Sequence, residues 1–189
     1  MIGLRQADRL IGLISITILA RLLLPEDFGL VVYATTFMAI LEIFFQFGFE
    51  TVLIRDQDAG RDSYDTAWTL EVIKGILLAG LMAAGAHQIS LFFDEPALQV
   101  VVFYLATIPF MNGLKNIGIV DFQKKMEFDK EFIYRFSVRV VSAIVTVILA
   151  FRLRSHWALV YGMILSSALS LVLSYVMSGY RPTFCLTKV

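Results

Sequence analysis

The residues of this chain that can do chemistry are ionisable side chains set inside long apolar stretches. Arg135, Arg139 and Ser142 stand at i, i+4 and i+7, which puts them on one face of an otherwise apolar helix. Lys115 lies between Asn112 and Asn116 near the end of the preceding apolar block. A guanidinium fork takes two phosphate oxygens at once, and a low-dielectric wall strengthens the attraction. Arg135, Arg139 and Lys115 are therefore candidates for binding an anionic substrate. Glu42, Gln46 and Glu50 recur every fourth residue, hence on one face, and Glu42 is the deepest carboxylate. It is the candidate for proton or cation coupling; a carboxyl kept neutral by desolvation is the alternative. Glu71 and Lys74 lie one helical step apart. A second reading stands beside all of these: long cationic side chains snorkel to headgroups, and Glu50, Glu71, Lys74 and the arginines form structural ion pairs.

The elements that must position these groups are long and apolar. Apolar residues make up 58% of the chain against 17% charged, and mean hydropathy is +0.76, which points to a bilayer rather than a soluble core. A crossing helix needs about 20 mostly apolar residues. The candidates are residues 10–24, 28–54, 67–93, 97–120, 132–151 and 157–178. The first is short and begins earlier, drawing Arg5, Asp8 and Arg9 into its opening turns. Pro25-Glu26-Asp27, the polar run 55–65, Asp94-Glu95-Pro96, the run 121–131 and the run 152–156 separate the blocks. Proline beside acidic residues ends a helix because it lacks a donor and restricts the residue before it. Pro109 predicts a kink. The expected fold is all-α and polytopic, six membrane helices in three hairpins.

The lysines and arginines of the connections set the orientation. Arg5, Arg9, Arg55, Arg61, Lys124, Lys125, Lys130, Arg181 and Lys188 fall on one side, and Arg21, Arg152 and Arg154 on the other. Both termini are therefore expected in the cytoplasm, with Trp68 and Trp157 near opposite interfaces. At about 1.5 Å per residue, Arg135 and Arg139 lie roughly 5 and 11 Å into their helix. The ionisable groups thus cluster in the cytoplasmic half, as a polar vestibule open to that side.

Other classes of function lose support. Net charge is zero with no basic tail, so nucleic acid is not an expected partner. The only cysteine is Cys185, which excludes an internal disulfide. The apolar run at residues 10–20 leads into Arg21 without a cleavage site. There is no P-loop, dinucleotide turn, nucleophile elbow or paired metal-ligand motif, so neither an enzyme, a cofactor nor a metal is expected. His87 and His156 read as solvated. Asp56, Asp58, Asp62 and Asp65, with Arg55 and Arg61, read as a solvated turn. Gly162, Ser166, Ser170, Ser174 and Ser178 recur every fourth residue and read as a packing stripe.

Six strings in fixed order carry a family resemblance: ARLLLPEDFGL at 20–30, FGFETVLIR at 47–55, YDTAWTLEVIKG at 64–75, FFDEPAL at 92–98, NIGIVDFQKKMEFDKEF at 116–132 and GYRP at 179–182. The chain resembles, over almost its whole length, the oligosaccharide flippases of the multidrug/oligosaccharidyl-lipid/polysaccharide exporter superfamily. The resemblance implies a bacterial inner-membrane transporter of two six-helix lobes around a central cavity. Its substrate would be an undecaprenyl-diphosphate-linked oligosaccharide for polysaccharide, lipopolysaccharide or exopolysaccharide synthesis, moved by alternating access without ATP hydrolysis. Such transporters have 12 or more helices, so residues 1–189 match the N-terminal lobe only. The expected partners are membrane lipids, the lipid-linked substrate, and a missing C-terminal lobe or a second copy. Two alternatives remain: a cation-coupled multidrug antiporter of the same superfamily, which Glu42 would serve, and a non-transporting scaffold in a polysaccharide synthesis complex.

Overall fold

The computed structural model describes residues 2–46, 48–56 and 60–185, with backbone alone for residues 2–10 and Glu50. The side chains of Arg5, Asp8, Arg9, Glu50, Asp58 and Lys188 lie outside the described residues. Nine α-helices are described: α1 Ile2–Leu22, α2 Pro25–Phe44, α3 Phe49–Arg55, α4 Arg61–Phe92, α5 Pro96–Leu105, α6 Thr107–Gly113, α7 Val120–Lys124, α8 Phe128–Leu153 and α9 Trp157–Met177. Among the described residues there is no strand. Among the described residues, five spans are long and apolar enough to cross a membrane: α2, α4, α5 with α6 together, α8 and α9. In α1 the apolar part runs over Ile11–Leu22.

Large apolar side chains stand exposed along the bundle. Phe92 is 80% exposed, Phe44 77% and Val176 71%, far from the pattern of a chain that faces water. This is a polytopic, all-α membrane protein.

The proline–acid junctions stop and start helices as their chemistry dictates. Pro25 opens α2, and Asp27 accepts from the Leu24 amide at 3.3 Å, holding an otherwise orphan donor. Pro96 likewise stands at the first position of α5. Pro109 has no amide hydrogen for the carbonyl of Leu105, and the helix breaks there, between α5 and α6. Close approach follows: a β-carbon on Gly75 would stand 2.7 Å from the Pro109 carbonyl oxygen, so α4 and α6 meet backbone to backbone.

Two expectations about continuity fail. The span expected at 28–54 is two helices, because Phe45–Gln46 leave the helix and Gly48 takes φ +68°, open to glycine without strain. Glu42 therefore sits in the last turn of α2, exposed, rather than at mid-depth, and Gln46 is outside any helix. The span expected at 97–120 ends at Gly113, so Lys115 and Asn116 lie in the turn beyond it. The first hairpin also opens: α1 packs mainly on α8, whereas α2 packs on α5.

The main core joins α2, α4, α5 and α9 through Ala34, Met82, Leu98, Val101, Leu105 and Val160. Leu19 and Leu23 meet Ala150 and Ala158, fastening α1 to α8 and α9. Polar contacts tie the two ends of the bundle. At the start of α9, Asp27 accepts from the His156 amide at 2.8 Å and lies 3.2 Å from its ring, so His156 is not simply solvated. At the opposite end Asp65 is buried, not part of a solvated turn. It accepts from Tyr180, from the Thr183 amide at 2.7 Å and from the Thr183 hydroxyl at 2.7 Å. Trp68, two turns into α4, is buried beside Phe184.

Candidate functional site

Arg135, Arg139 and Lys115 line one cavity. It has a volume of about 900 Å³, is open to the outside, and lies among α1, α8, α9 and the turn after α6. The spacing of four brings both arginines to the same side of α8, as helical periodicity requires. Across from them stand Gly12, Leu13 and Ile16 of α1. Tyr134, Ser166 and Ser170 add hydroxyls, and Ile119 and Val138 add apolar wall. The cavity thus has cations and hydroxyls beside an apolar surface, a combination suited to an anionic head on a hydrophobic body.

Each cation is held differently. Arg135 is 62% exposed and pairs with Glu131 at 2.9 Å, one turn back on the same helix. An exposed i, i+4 pair of this kind is worth about 0.5 kcal/mol, so Arg135 can exchange partners at little cost. Arg139 is exposed and reaches α1 at Gly12, where its Nη2 stands 2.7 Å from the place a β-carbon would occupy. The absence of a side chain at Gly12 makes that shelf.

Lys115 is positioned through its neighbours. The Leu114 carbonyl accepts from the Tyr175 hydroxyl at 3.1 Å. Asn116 is fully buried: its amide donates to Ser174 Oγ at 3.0 Å, its Nδ2 to the Tyr180 carbonyl at 2.7 Å, and its Oδ1 accepts from the Gly118 amide at 2.9 Å. A short turn with both flanks anchored to α9 and the segment after it holds Lys115 at the cavity.

The residues missed from sequence are Gly12, Tyr134, Ser166 and Ser170. Tyr134 is buried and its hydroxyl lies 2.6 Å from Ser170 Oγ and 3.0 Å from the Ser170 carbonyl, joining α8 to α9 under the cavity floor. The serine stripe of α9 packs as well as lines: Gly162 meets Thr146 of α8, and Ser174 takes the Asn116 amide. Only the four-residue recurrence of small residues hinted at this surface.

Glu42 faces a different cavity. That one has a volume of about 520 Å³ and is lined by Glu42, Gln46, Thr51, Glu71, Lys74 and Asn112, with Lys115 shared between the two. Glu71 and Lys74 are ion-paired and mostly buried, so their charges are already matched. Asn112 Oδ1 is buried here without a hydrogen-bond partner among the described residues. Among the described residues there is no group of His, Cys, Asp or Glu fit to hold a metal.

Comparison with known proteins adds an independent finding. The family model described as "Polysaccharide biosynthesis protein" matches residues 18–188. The chain is similar to the succinoglycan biosynthesis transport protein ExoT of Rhizobium meliloti (strain 1021), 24% identical over 172 residues. That alignment covers 90% of this chain and 35% of ExoT, so the chain spans about a third of the length of this relative. No solved structure matches.

Proposed function

This chain belongs to the polysaccharide biosynthesis protein family, and from that membership we propose that it forms the N-terminal lobe of an inner-membrane flippase. The substrate is a lipid-linked oligosaccharide carried on undecaprenyl diphosphate. Its diphosphate is held by Arg135, Arg139 and Lys115, and its polyprenyl tail stays in the bilayer. The transport named in its relative ExoT is in keeping with this reading. The observation that carries it is the convergence of three cations, from α8 and the turn after α6, on one open cavity with an apolar wall.

The mechanism follows from where the charge lies. A diphosphate in a low-dielectric cleft is costly unless paired, and two guanidinium forks with one ammonium neutralise it. Arg135 releases Glu131 as the anion arrives, an exchange of one exposed partner for another. Both termini are cytoplasmic by the distribution of lysine and arginine, so the head enters from the cytoplasmic leaflet. A second lobe, or a second copy, closes over the cavity and opens it on the far side by rocking against this one. Glu42 is the coupling group: it shares a cavity with Lys115, so a proton or cation taken up there changes the field felt at the anion site.

Binding of an undecaprenyl-diphosphate sugar to the purified protein tests this reading. Affinity falls by about tenfold or more when Arg139 is replaced by Ala, the loss expected for one charge-assisted contact of about 1.5–3 kcal/mol. Unchanged affinity in Arg135→Ala and Arg139→Ala alike removes the assignment.

A further inference from the structure

A second basic pocket lies away from the cation site described above. It has a volume of about 720 Å³ and is lined by Arg61 and Tyr64 of α4, Asp121 and Lys124 of α7, Lys125, and Tyr180 and Arg181. Four cations face one carboxylate. Asp121 is occupied from within: it accepts from Lys125 at 2.7 Å and from the Tyr64 hydroxyl at 2.6 Å. Asp65, behind the wall, is engaged by Tyr180 and Thr183 and stands 3.7 Å from Arg61. Lys124 donates to the Asp56 carbonyl at 2.7 Å and stands 5.6 Å from the centre of the Tyr64 ring. Arg181 donates to the carbonyls of Tyr175, Ser178 and Tyr180. The carboxylates are thus fixed in place; Arg61 and Lys125, though each is paired with one of them, remain 67% and 61% exposed and keep further donors toward the opening.

Place in the fold decides what such a pocket meets. Three membrane-spanning helices end around it: α4 begins at Arg61, α8 begins at Phe128, and α9 ends at Met177. The ends of spanning helices are where lipid headgroups meet a bundle, and where Tyr side chains and cations gather. We propose that this pocket binds the phosphodiester headgroup of an anionic glycerophospholipid. Arg61 and Lys125 hold the phosphate oxygens, Tyr64 and Tyr180 line the glycerol side, and the acyl chains run along the apolar outside of the bundle. Basic pockets between membrane helices recognise anionic headgroups by this chemistry. The proposal is independent of the flippase reading and of the orientation of the chain, since it uses only the end of the bundle at which these helices meet.

The test is native mass spectrometry of the full chain in mild detergent, titrated with phosphatidylglycerol, phosphatidylcholine or glycerol phosphate. We expect retained phosphatidylglycerol in preference to phosphatidylcholine. The exposed pair Arg61→Gln/Lys125→Gln lowers that retention on the order of tenfold, whereas Arg21→Gln/Arg152→Gln, at the other end of the bundle, leaves it unchanged. Equal retention of phosphatidylcholine overturns the proposal, and so does indifference to the Arg61/Lys125 change. Glycerol phosphate competing as tightly as the lipid also overturns it, because the site then belongs to a soluble phosphoryl group. Should the double variant not fold, raising salt on the unaltered protein gives the same reading: phosphatidylglycerol is released if the contact is ionic and kept if it is not.

Discussion

The guanidinium of Arg139 lies against the bare backbone of Gly12, 2.7 Å from where a β-carbon would stand. Helix α1 thus gives the second arginine of α8 a shelf, kept open by the lack of a bulky side chain at residue 12. Gly12→Ala meets the far end of a flexible side chain and is tolerated. Gly12→Leu evicts the guanidinium, and export falls by about tenfold, the equivalent of about 1.4 kcal/mol. A complementation assay with the two variants at equal abundance checks this; equal export by both contradicts it.

Asn116 is expected to matter as much as the cation beside it. Asn116→Ala strips the Tyr180 carbonyl and the Gly118 amide of their buried partners. The cost is about 2–3 kcal/mol, read as a lower thermal midpoint in detergent. The anchored turn loosens, so Lys115→Ala and Asn116→Ala together weaken anion binding little more than either alone.

Asp65→Ala should detach the segment after α9. Its carboxylate is buried and accepts from Tyr180 and twice from Thr183, so its removal leaves three donors without their acceptor. A loss of about 3 kcal/mol follows. Hydrogen exchange at residues 180–185 rises in that variant while exchange in α5 stays slow.

The contact between α7 and α4 carries a pH dependence. Burial pushes the Asp121 carboxyl up, but the hydrogen bonds from Lys125 and Tyr64 outweigh it and hold the group below the ordinary carboxylate range. A depressed value means stability that is fully present above the unfolded value of about 3.9 and is lost as pH falls through the folded one. Lys125 is raised, chiefly by its hydrogen bond to Asp121, so its share is full below the ordinary lysine value and fades as pH rises through the folded one. Exchange protection at residues 120–125 is therefore expected to hold through neutral pH and drop below about pH 4. Asp121→Asn loses protection at neutral pH and flattens the acid limb; an acid limb as steep as in the unaltered protein argues against this pairing.

How much of this was legible in the sequence differs from residue to residue. The helix starts at Pro25 and Pro96 and the break at Pro109 follow from backbone chemistry, and the strings show them directly. Arg135 and Arg139 share a cavity because four residues are about one helical turn, again a local fact. The break before α3 was hidden, since an apolar run with only Gly29 and Gly48 in it reads as continuous until Gly48 takes a positive φ. Asp65 looked like a loop residue among other aspartates, but its partners lie 115 and 118 residues away. The Asp27–His156 contact spans 129 residues. Tertiary partners at such separations leave no periodic trace, which is also why Gly12, Tyr134 and Ser170 were not foreseen at the cavity.

If the α8 arginines bind the diphosphate of a lipid-linked substrate, export depends on the guanidinium of Arg139. The most direct test is export complementation in a flippase-null strain, using the complete gene with Arg139→Ala or Arg139→Lys and with protein level checked in each. Both changes are expected to abolish export at normal abundance, because a lysine cannot offer the two-pronged contact of a guanidinium. Normal export by both would rule out diphosphate binding by these arginines, leaving the stripe a structural or interfacial feature of α8.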